Sequence, residues 1–375
     1  MSIFALVIVV SRLLTRYSAQ QWPYTVQNNE GYAPSPCEFS AVRRAVINAC
    51  DSLDGLVDGI ISAPALCTFQ AQSLVNQTFI CDTDGSTQTF SQQLATVMDK
   101  IWQGARTPEG QFLWYGLIKG ANLTETIAPN LPNMSAAQPF GISDSWFKGF
   151  LAKDLSFDTA NVSYAEFADL FLQGHIQYDS VLGTASPDLR PFKARGGKMI
   201  TWQGLAVSSL TAFSASRLTF STKQDGIINP QGTMLYHQKV QALDPSISDF
   251  YRMFFSPGIG HCTGGTGVMP VDAIGQLRAW VENGTAPAYL KAASEYPVNA
   301  TEAYVTNGTA ARFLNLCPYP EVNRYRGSGD PALASSWRCM NGTGWERFAG
   351  PSGTNYSCVG GPGWYGSAFE TVDVA

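Results

Sequence analysis

Gly197-Lys198-Met199-Ile200-Thr201-Trp202 is a short apolar run that begins at a glycine pair and ends near Gly204, the pattern of a strand buried on both faces. A second run of the same kind, YRMFF, spans Tyr251 to Phe255. Each is followed by apolar residues at helical spacing, over Gly232 to Leu243 and over Val271 to Glu282. Strand, helix, strand, helix in this order predicts a parallel α/β core over residues 196–313.

Outward from that core the text changes character. Upstream, EFSAVRRAVIN (Glu38 to Asn48) has helical spacing and runs into an acidic, glycine-containing loop, Asp51 to Ile60. A second helix is expected over Ser91 to Gln103. From Gly104 to Arg195 the chain is rich in Gly, Pro, Asn and aromatic residues, with short helical stretches such as Tyr164 to Gln173 and no run of strands. Residues 21–195 therefore read as an irregular, lid-like domain. Downstream, 314–375 is a Cys-, Gly- and Pro-rich tail. The first 20 residues open on MSIFALVIVV, followed by Arg12 and Arg16, which reads as a signal-like segment or a gene-model artefact. That run is too short to span a membrane.

The chain has 375 residues, 45% of them hydrophobic, enough for one large core or two moderate ones. Only 14% are charged and the formal net charge is −5, so there is no electrostatic footprint for nucleic acid or anionic lipid. Neutral or small partners fit better. The eight cysteines include no C-x-x-C pair, which excludes zinc ribbons and thioredoxin motifs and favours disulfides. Nine N-x-S/T sequons, at Asn76, Asn122, Asn133, Asn161, Asn283, Asn299, Asn307, Asn341 and Asn355, point in the same direction, to a secreted, extracellular glycoprotein.

Three local patterns carry chemistry. The first is CDSLDGLVDGII, Cys50 to Ile61, where Asp51, Asp54 and Asp58 supply carboxylates. Gly55 and Gly59 let the chain fold back, so that the carbonyls of Leu56 and Ile60 can face the same centre. Hard oxygen donors of this kind suit Ca2+, which takes about six to eight of them. An EF-hand is excluded, because its carboxylates lie two residues apart and a Glu closes the loop. The plainer alternative is an Asp/Gly turn ending the preceding helix.

The second pattern is Gly258-Ile259-Gly260-His261-Cys262, directly after the YRMFF strand, where a loop can present an imidazole over a sheet edge as a general base. Of the other two histidines, His175 falls in the lid-like region and His237 within a helix, where a packed or solvated role is the plainer reading. The third is Asp225 in DGIINP, on a loop entering a helix after the first strand, where an acid would orient the base in Ser-Asp-His order. An ordinary Asp-Gly surface turn is its alternative. No G-x-S-x-G occurs in the sequence; the nearest imitations, around Ser328 and Ser352, lie downstream of His261.

Taken together, NNEGYAPSPCE, ACDSLDGLVDGIISAPALCTF, LWYGL, MITWQGLA, DGIINP and FFSPGIGHCTGG resemble consecutive blocks of the tannase and feruloyl esterase family, from about Gln21 to Cys339. The resemblance implies an α/β-hydrolase core with a large calcium-binding lid domain inserted after the nucleophile. It implies Asp51, Asp54, Leu56, Asp58 and Ile60 as ligands of a structural Ca2+, Asp225 as the acid and His261 as the base of a serine esterase. It also implies disulfides Cys50–Cys67 and Cys317–Cys339, while Cys37 with Cys81 is a guess. The tail LCPYPEVNRYRGSGDPALASSWRC is more similar to feruloyl esterases than to tannases, so feruloyl esters are preferred over galloyl esters.

The sequence also departs from the family. The serine, and the cysteine that would bond Cys262, belong to a segment upstream of the lid, so the core is expected to be incomplete, without its N-terminal strands and nucleophile elbow. Cys262 is then an orphan, and the strands at 199–202 and 251–255 are expected at a broken sheet edge with apolar surface uncovered. Between Ala206 and Asp225 the stretch VSSLTAFSASRLTFSTKQ (207–224) intervenes; its Val207 (GTN) and a CAG codon for Gln224 would be intron boundaries, which suggests a retained intron. The expected function is hydrolysis of small aromatic esters, of plant cell-wall or tannin type, with this chain inactive for want of the serine. The alternative is a non-catalytic, calcium-stabilised secreted glycoprotein that binds aromatic ligands.

Overall fold

The computed structural model describes residues 4–6, 13–121, 137–183, 186–205, 229–260, 266–294 and 312–342. Two kinds of packing meet in it: a set of helices built from the first half of the chain, and a small parallel sheet flanked by helices from the second half.

Pro36–Cys50 forms the helix expected over Glu38 to Asn48. Its start is fixed locally: Ser35 Oγ accepts from the Glu38 amide at 3.2 Å, and Glu38 Oε2 accepts from the Ser35 amide at 2.7 Å. Pro36 sits where its missing N–H costs nothing. Gln92–Gln103 is capped by Ser91 alone, whose hydroxyl accepts from the Leu94 amide at 3.1 Å. The helix begun at Tyr164 runs on to Leu182, well past the expected Gln173. The reason is that its apolar periodicity fades after Phe171 while packing continues: Tyr178 and Phe150 rings lie 5.9 Å apart.

Residues 21–195 are thus more helical than the expected irregular domain; helices such as Trp22–Asn29 and Gly141–Trp146 are too short and polar to show in the apolar spacing. Leu13–Gln20 and Trp22–Asn29 join them. Trp146 Nε1 donates to Ser18 Oγ at 3.0 Å, and Trp22 Nε1 donates to the Lys100 carbonyl at 3.0 Å. Val26, Val42, Val46, Leu94, Met98, Ile101, Phe147 and Phe167 form the buried centre of this half. A short antiparallel pair, β2 (Thr78–Ile80) and β3 (Thr87–Thr89), lies in it, and two disulfides close it, Cys37–Cys81 and Cys50–Cys67.

In the second half, β4 (Lys198–Gly204) and β5 (Tyr251–Ser256) pair in parallel from Met199↔Tyr251 to Gly204↔Ser256, as the strand–helix alternation required. Side chains alternate between faces. Met199, Met253 and Phe255 pack with Met234 and Val240 of helix Pro230–Leu243, while Ile200 and Phe254 pack with Leu277 and Trp280 of helix Ala273–Asn283.

The expectation of a broken edge with uncovered apolar surface is corrected here. β1 (Phe4–Leu6) adds to β4 in parallel, with Ala5 opposite Met199. On the far side of β5, Phe254 makes an antiparallel bridge to Pro318, and the Tyr319 amide donates to the Met253 carbonyl at 2.8 Å. Flanking helices and the returning tail bury Met199, Ile200, Met253 and Phe254. The tail is itself structured. β6 (Met269–Pro270), β7 (Leu290–Ala293) and β8 (Phe313–Leu316) form an antiparallel sheet, and β9 (Glu321–Tyr325) pairs with β10 (Trp337–Asn341) beneath the disulfide Cys317–Cys339. Among the described residues no helix is long and apolar enough to cross a membrane.

Candidate functional site

The site is framed by the C-terminal ends of β4 and β5. Because the two strands are parallel and end in register, the chain segments leaving them start side by side. The Leu205 amide donates to the Ser256 carbonyl at 2.9 Å. Gly204 lies so close to the second segment that a β-carbon there would stand 2.3 Å from the Ile259 carbonyl oxygen and 2.6 Å from that of Gly260. Only a glycine permits this approach.

One of these segments leads to Asp225 and the other to His261. Asp225, with the insert 207–224, and His261 with Cys262 lie outside the described residues; the structure defines the stems from which they issue. The Asp225 segment is anchored at its far end by Asn229, a buried side chain whose Nδ2 donates to the Tyr115 carbonyl at 3.1 Å and also to the Gly116 carbonyl. Helix Pro230–Leu243 then returns to β4, where the Thr233 hydroxyl donates to Gln203 Oε1. The LWYGL block therefore serves as the seat for the end of DGIINP. On the other segment, the Gly267 amide donates to the Gly258 carbonyl at 3.0 Å and closes the neck of the loop.

The other two histidines stand apart from this edge. His237 is buried against Tyr251 and Tyr319, ring centroids 5.0 and 5.3 Å away, and its Nδ1 has no hydrogen-bond partner among the described residues. Burial pushes its pKa down to about 4, so it is a neutral packing residue. His175 Nδ1 lies 3.1 Å from Asp179 Oδ2 on the long helix of the other half.

The acidic loop is the seam between the two halves. Asp51–Asp54 is a single 3-10 turn, after which the chain folds back: Asp51 Oδ1 and Oδ2 accept from the amides of Asp58 at 3.3 Å and Gly59 at 2.8 Å. Asp54 Oδ1 accepts from the Leu56 amide at 3.0 Å and Asp58 Oδ1 from the Ile60 amide at 3.1 Å. Asp54 is buried and its Oδ2 accepts no hydrogen bond among the described residues, although the Ser62 side chain stands near enough to ease ionisation.

Burial, helped by repulsion from Asp58 and Asp51, pushes the Asp54 pKa up to about 6. Burial raises that of Asp58 too, against the pull of Arg312, whose Nη2 donates to Asp58 Oδ2 at 2.7 Å. Arg312 pairs with Asp58, while Asp51 and Asp54 are held by backbone amides; buried carboxylates are the kind of group that a hard cation neutralises. The donor types suit calcium, but their placement does not. The described residues contain no group of three or more His, Cys, Asp or Glu drawn onto one metal-holding centre, so the three carboxylates stand wider than a closed ligand shell.

From the acidic loop, Leu56 enters the core cluster of Ile200 and Phe254, Leu53 offers its carbonyl to Arg324 Nη1 at 3.3 Å, and the Ile60 side chain reaches Gly258. Sequence reasoning missed Arg312, Arg324, Gly204 and Asn229. Arg312 and Asp58 are 254 residues apart, and no local pattern relates them.

A parallel β4–β5 pair flanked by helices, with two loops issuing from one strand edge, is an α/β arrangement. Residues 10–340 match the family model described as tannase and feruloyl esterase, and the chain belongs to that family. It is 35% identical over 337 residues to a "Probable feruloyl esterase" of Arthroderma benhamiae, covering 87% of this chain and 57% of that protein. It is 26% identical over 341 residues to the mono(2-hydroxyethyl) terephthalate hydrolase of Piscinibacter sakaiensis, covering 81% and 52%. Among solved structures, the tannin acyl hydrolase of Aspergillus niger superposes with a TM-score of 0.73 at 21% identity, over 90% of this chain and 60% of that one. Feruloyl esterase B of Aspergillus oryzae gives 0.67 at 21%, over 87% and 62%. The chain therefore spans little more than half the length of these relatives.

Proposed function

We propose that this chain serves in the hydrolysis of aromatic carboxylic esters, feruloyl or galloyl, by a serine-hydrolase mechanism in which His261 is the general base and Asp225 the acid that orients it. The observation that supports this best is the common strand edge, where the backbone of Gly204 lies against Ile259 and Gly260. Two loops leaving so close together can bring a carboxylate to an imidazole. His261 would take the proton of a serine hydroxyl as it attacks the ester carbonyl. Asp225 would hold the imidazole tautomer and stabilise the imidazolium, which then gives its proton to the departing alcohol. The same base would activate water to release the acid.

The 375 residues carry no G-x-S-x-G, so on their own they are expected to be inactive. That same observation favours the second reading, a non-catalytic, calcium-stabilised secreted glycoprotein that binds aromatic ligands. We further propose a structural Ca2+ held by the carboxylates of Asp51, Asp54 and Asp58 and the carbonyls of Leu56 and Ile60. It would supply the positive charge that the buried carboxylates lack. Secretion and glycosylation are consistent with the three disulfides and with the exposure of Asn76, Asn161, Asn283 and Asn341, the four sequon asparagines among the described residues.

The test is expression from the genomic locus with whatever coding sequence adjoins the 375 residues. Ethyl ferulate and methyl gallate should be hydrolysed, a fluorophosphonate should label a serine, and Asp225→Asn and His261→Ala should each remove turnover. A product that contains a labelled serine yet turns over at full rate with His261→Ala would defeat the assignment. A product that binds ferulate and is neither labelled nor active would establish the second reading.

A further inference from the structure

The outer margin of β5 is closed by a short strap, Pro318-Tyr319-Pro320. Phe254 bridges to Pro318, and the Tyr319 amide donates to the Met253 carbonyl at 2.8 Å. Proline has no N–H, so of these three residues Tyr319 alone can donate an amide to the sheet. On the inner side, β5 pairs with β4 along its whole length, from Met199↔Tyr251 to Gly204↔Ser256. The strap is therefore the neighbour of β5 that separates at least cost.

Its one large side chain rests on an imidazole. The rings of Tyr319 and His237 meet edge to face with centroids 5.3 Å apart, and the His237 ring lies 5.0 Å from that of Tyr251 in β5. Gln238, the next residue of the helix Pro230–Leu243, donates from Nε2 to the Tyr319 hydroxyl at 2.9 Å. His237 is buried, and its Nδ1 has no hydrogen-bond partner among the described residues.

The titratable groups facing His237 are phenols: Tyr251 from β5 and Tyr319 from the strap, with Tyr236 of its own helix 6.4 Å from the Tyr251 ring. The charged neighbours in sequence are Lys239 on the helix, Glu321 beyond the strap, and Arg252, which lies over Trp280 on the other face of the sheet. None of them contributes to the pKa of His237, which burial alone pushes down to about 4. A proton added here makes an imidazolium with no carboxylate to meet it. Attraction to two tyrosine rings offsets only part of the hydration that a buried charge loses. Parting the strap is the movement that returns water to the ring.

We propose that His237 is an acid-released latch: while neutral it packs on Tyr319 and holds the strap Pro318–Pro320 against β5, and once protonated it frees the strap and bares the β5 edge, with the β4–β5 pair still formed. The device depends neither on the esterase reading nor on a bound ion. Its sign follows from the lowered pKa of the closed state. Closure is complete above about pH 6.5 and weakens as pH falls toward 4, over which the opening equilibrium can rise by roughly a hundredfold.

The experiment is hydrogen–deuterium exchange of the full 375-residue chain at pH 7 and at pH 4, corrected for the intrinsic exchange rate at each pH, for the unmodified protein, His237→Phe and His237→Leu. In the unmodified protein, protection at Tyr319 and Glu321 should fall tenfold or more between the two pH values. Protection within 199–204 and 251–256, and in the helix Gln92–Gln103, should stay within about threefold. In the variants the strap should change less than about twofold; either one that folds suffices, because both lack the titrating group. An unchanged strap in the unmodified protein overturns the latch, as does an equal loss in a folded variant. Simultaneous loss of the strap and the β4–β5 pair overturns it as well, because the acid response is then unfolding of the sheet and not release of its margin.

Discussion

Arg312 Nη2 donates to Asp58 Oδ2 at 2.7 Å, joining the residue just before β8 to the acidic loop of the helical half, with both side chains mostly shielded from water. Removing the guanidinium leaves a buried carboxylate without its counter-charge. Arg312→Ala should cost about 1.5–3 kcal/mol in chelator, the usual loss for a hydrogen bond to a charged group. Millimolar calcium should recover part of it. Denaturant titration of both proteins with and without the ion measures the difference.

Asp54 has the buried oxygen without a hydrogen-bond partner among the described residues, so it should dominate cation affinity. If the loop binds calcium as proposed, Asp54→Asn is expected to keep the fold and to lose most of any rise in melting temperature on adding the ion. An undiminished calcium shift in this variant would remove Asp54 from the ligand set.

His237 gives a pH signature. Its pKa falls from 6.5 to about 4 on folding, so the unfolded chain binds the proton more readily. The sign follows: the stability from keeping this imidazole neutral is complete above about pH 6.5 and is lost as pH falls toward 4, by roughly 3 kcal/mol at about 1.4 kcal/mol per unit. His237→Phe should flatten the stability profile between those limits. Chemical unfolding at several pH values reads it.

Gly204→Ala would force a methyl group into the carbonyls of Ile259 and Gly260. The two strand ends must separate, and the expected destabilisation is about 1–3 kcal/mol, as for overpacking of a tight interior. Ile259 and Gly260 amides should exchange faster, whereas those of the helix Gln92–Gln103 should not change.

Peptide mapping without reduction should recover Cys37–Cys81, Cys50–Cys67 and Cys317–Cys339. Replacing both Cys50 and Cys67 by alanine reopens a loop of 17 residues' separation and should cost about 2–4 kcal/mol. The loss should be accompanied by weaker calcium binding, because this bridge closes the segment that holds the carboxylates.

The sequence by itself determined whatever depends on short-range pattern. The glycine-bounded apolar runs marked β4 and β5, their alternation with helices required the parallel pairing that is observed, and Ser35 with Glu38 and Ser91 set helix starts through caps a few residues long. The folding-back of the acidic loop could be read because its residues are neighbours in the chain; Cys50–Cys67 and Cys317–Cys339 formed as the family resemblance implied, and the guessed Cys37–Cys81 formed with them. Other features were decided only in three dimensions. β1 on the edge of β4, Pro318 beside β5, Arg312 on Asp58 and Ile60 against Gly258 are contacts between segments with no periodic relation to one another. Such contacts are selected by burial and charge compensation after the chain has collapsed, so they leave no spacing for a linear reading to find.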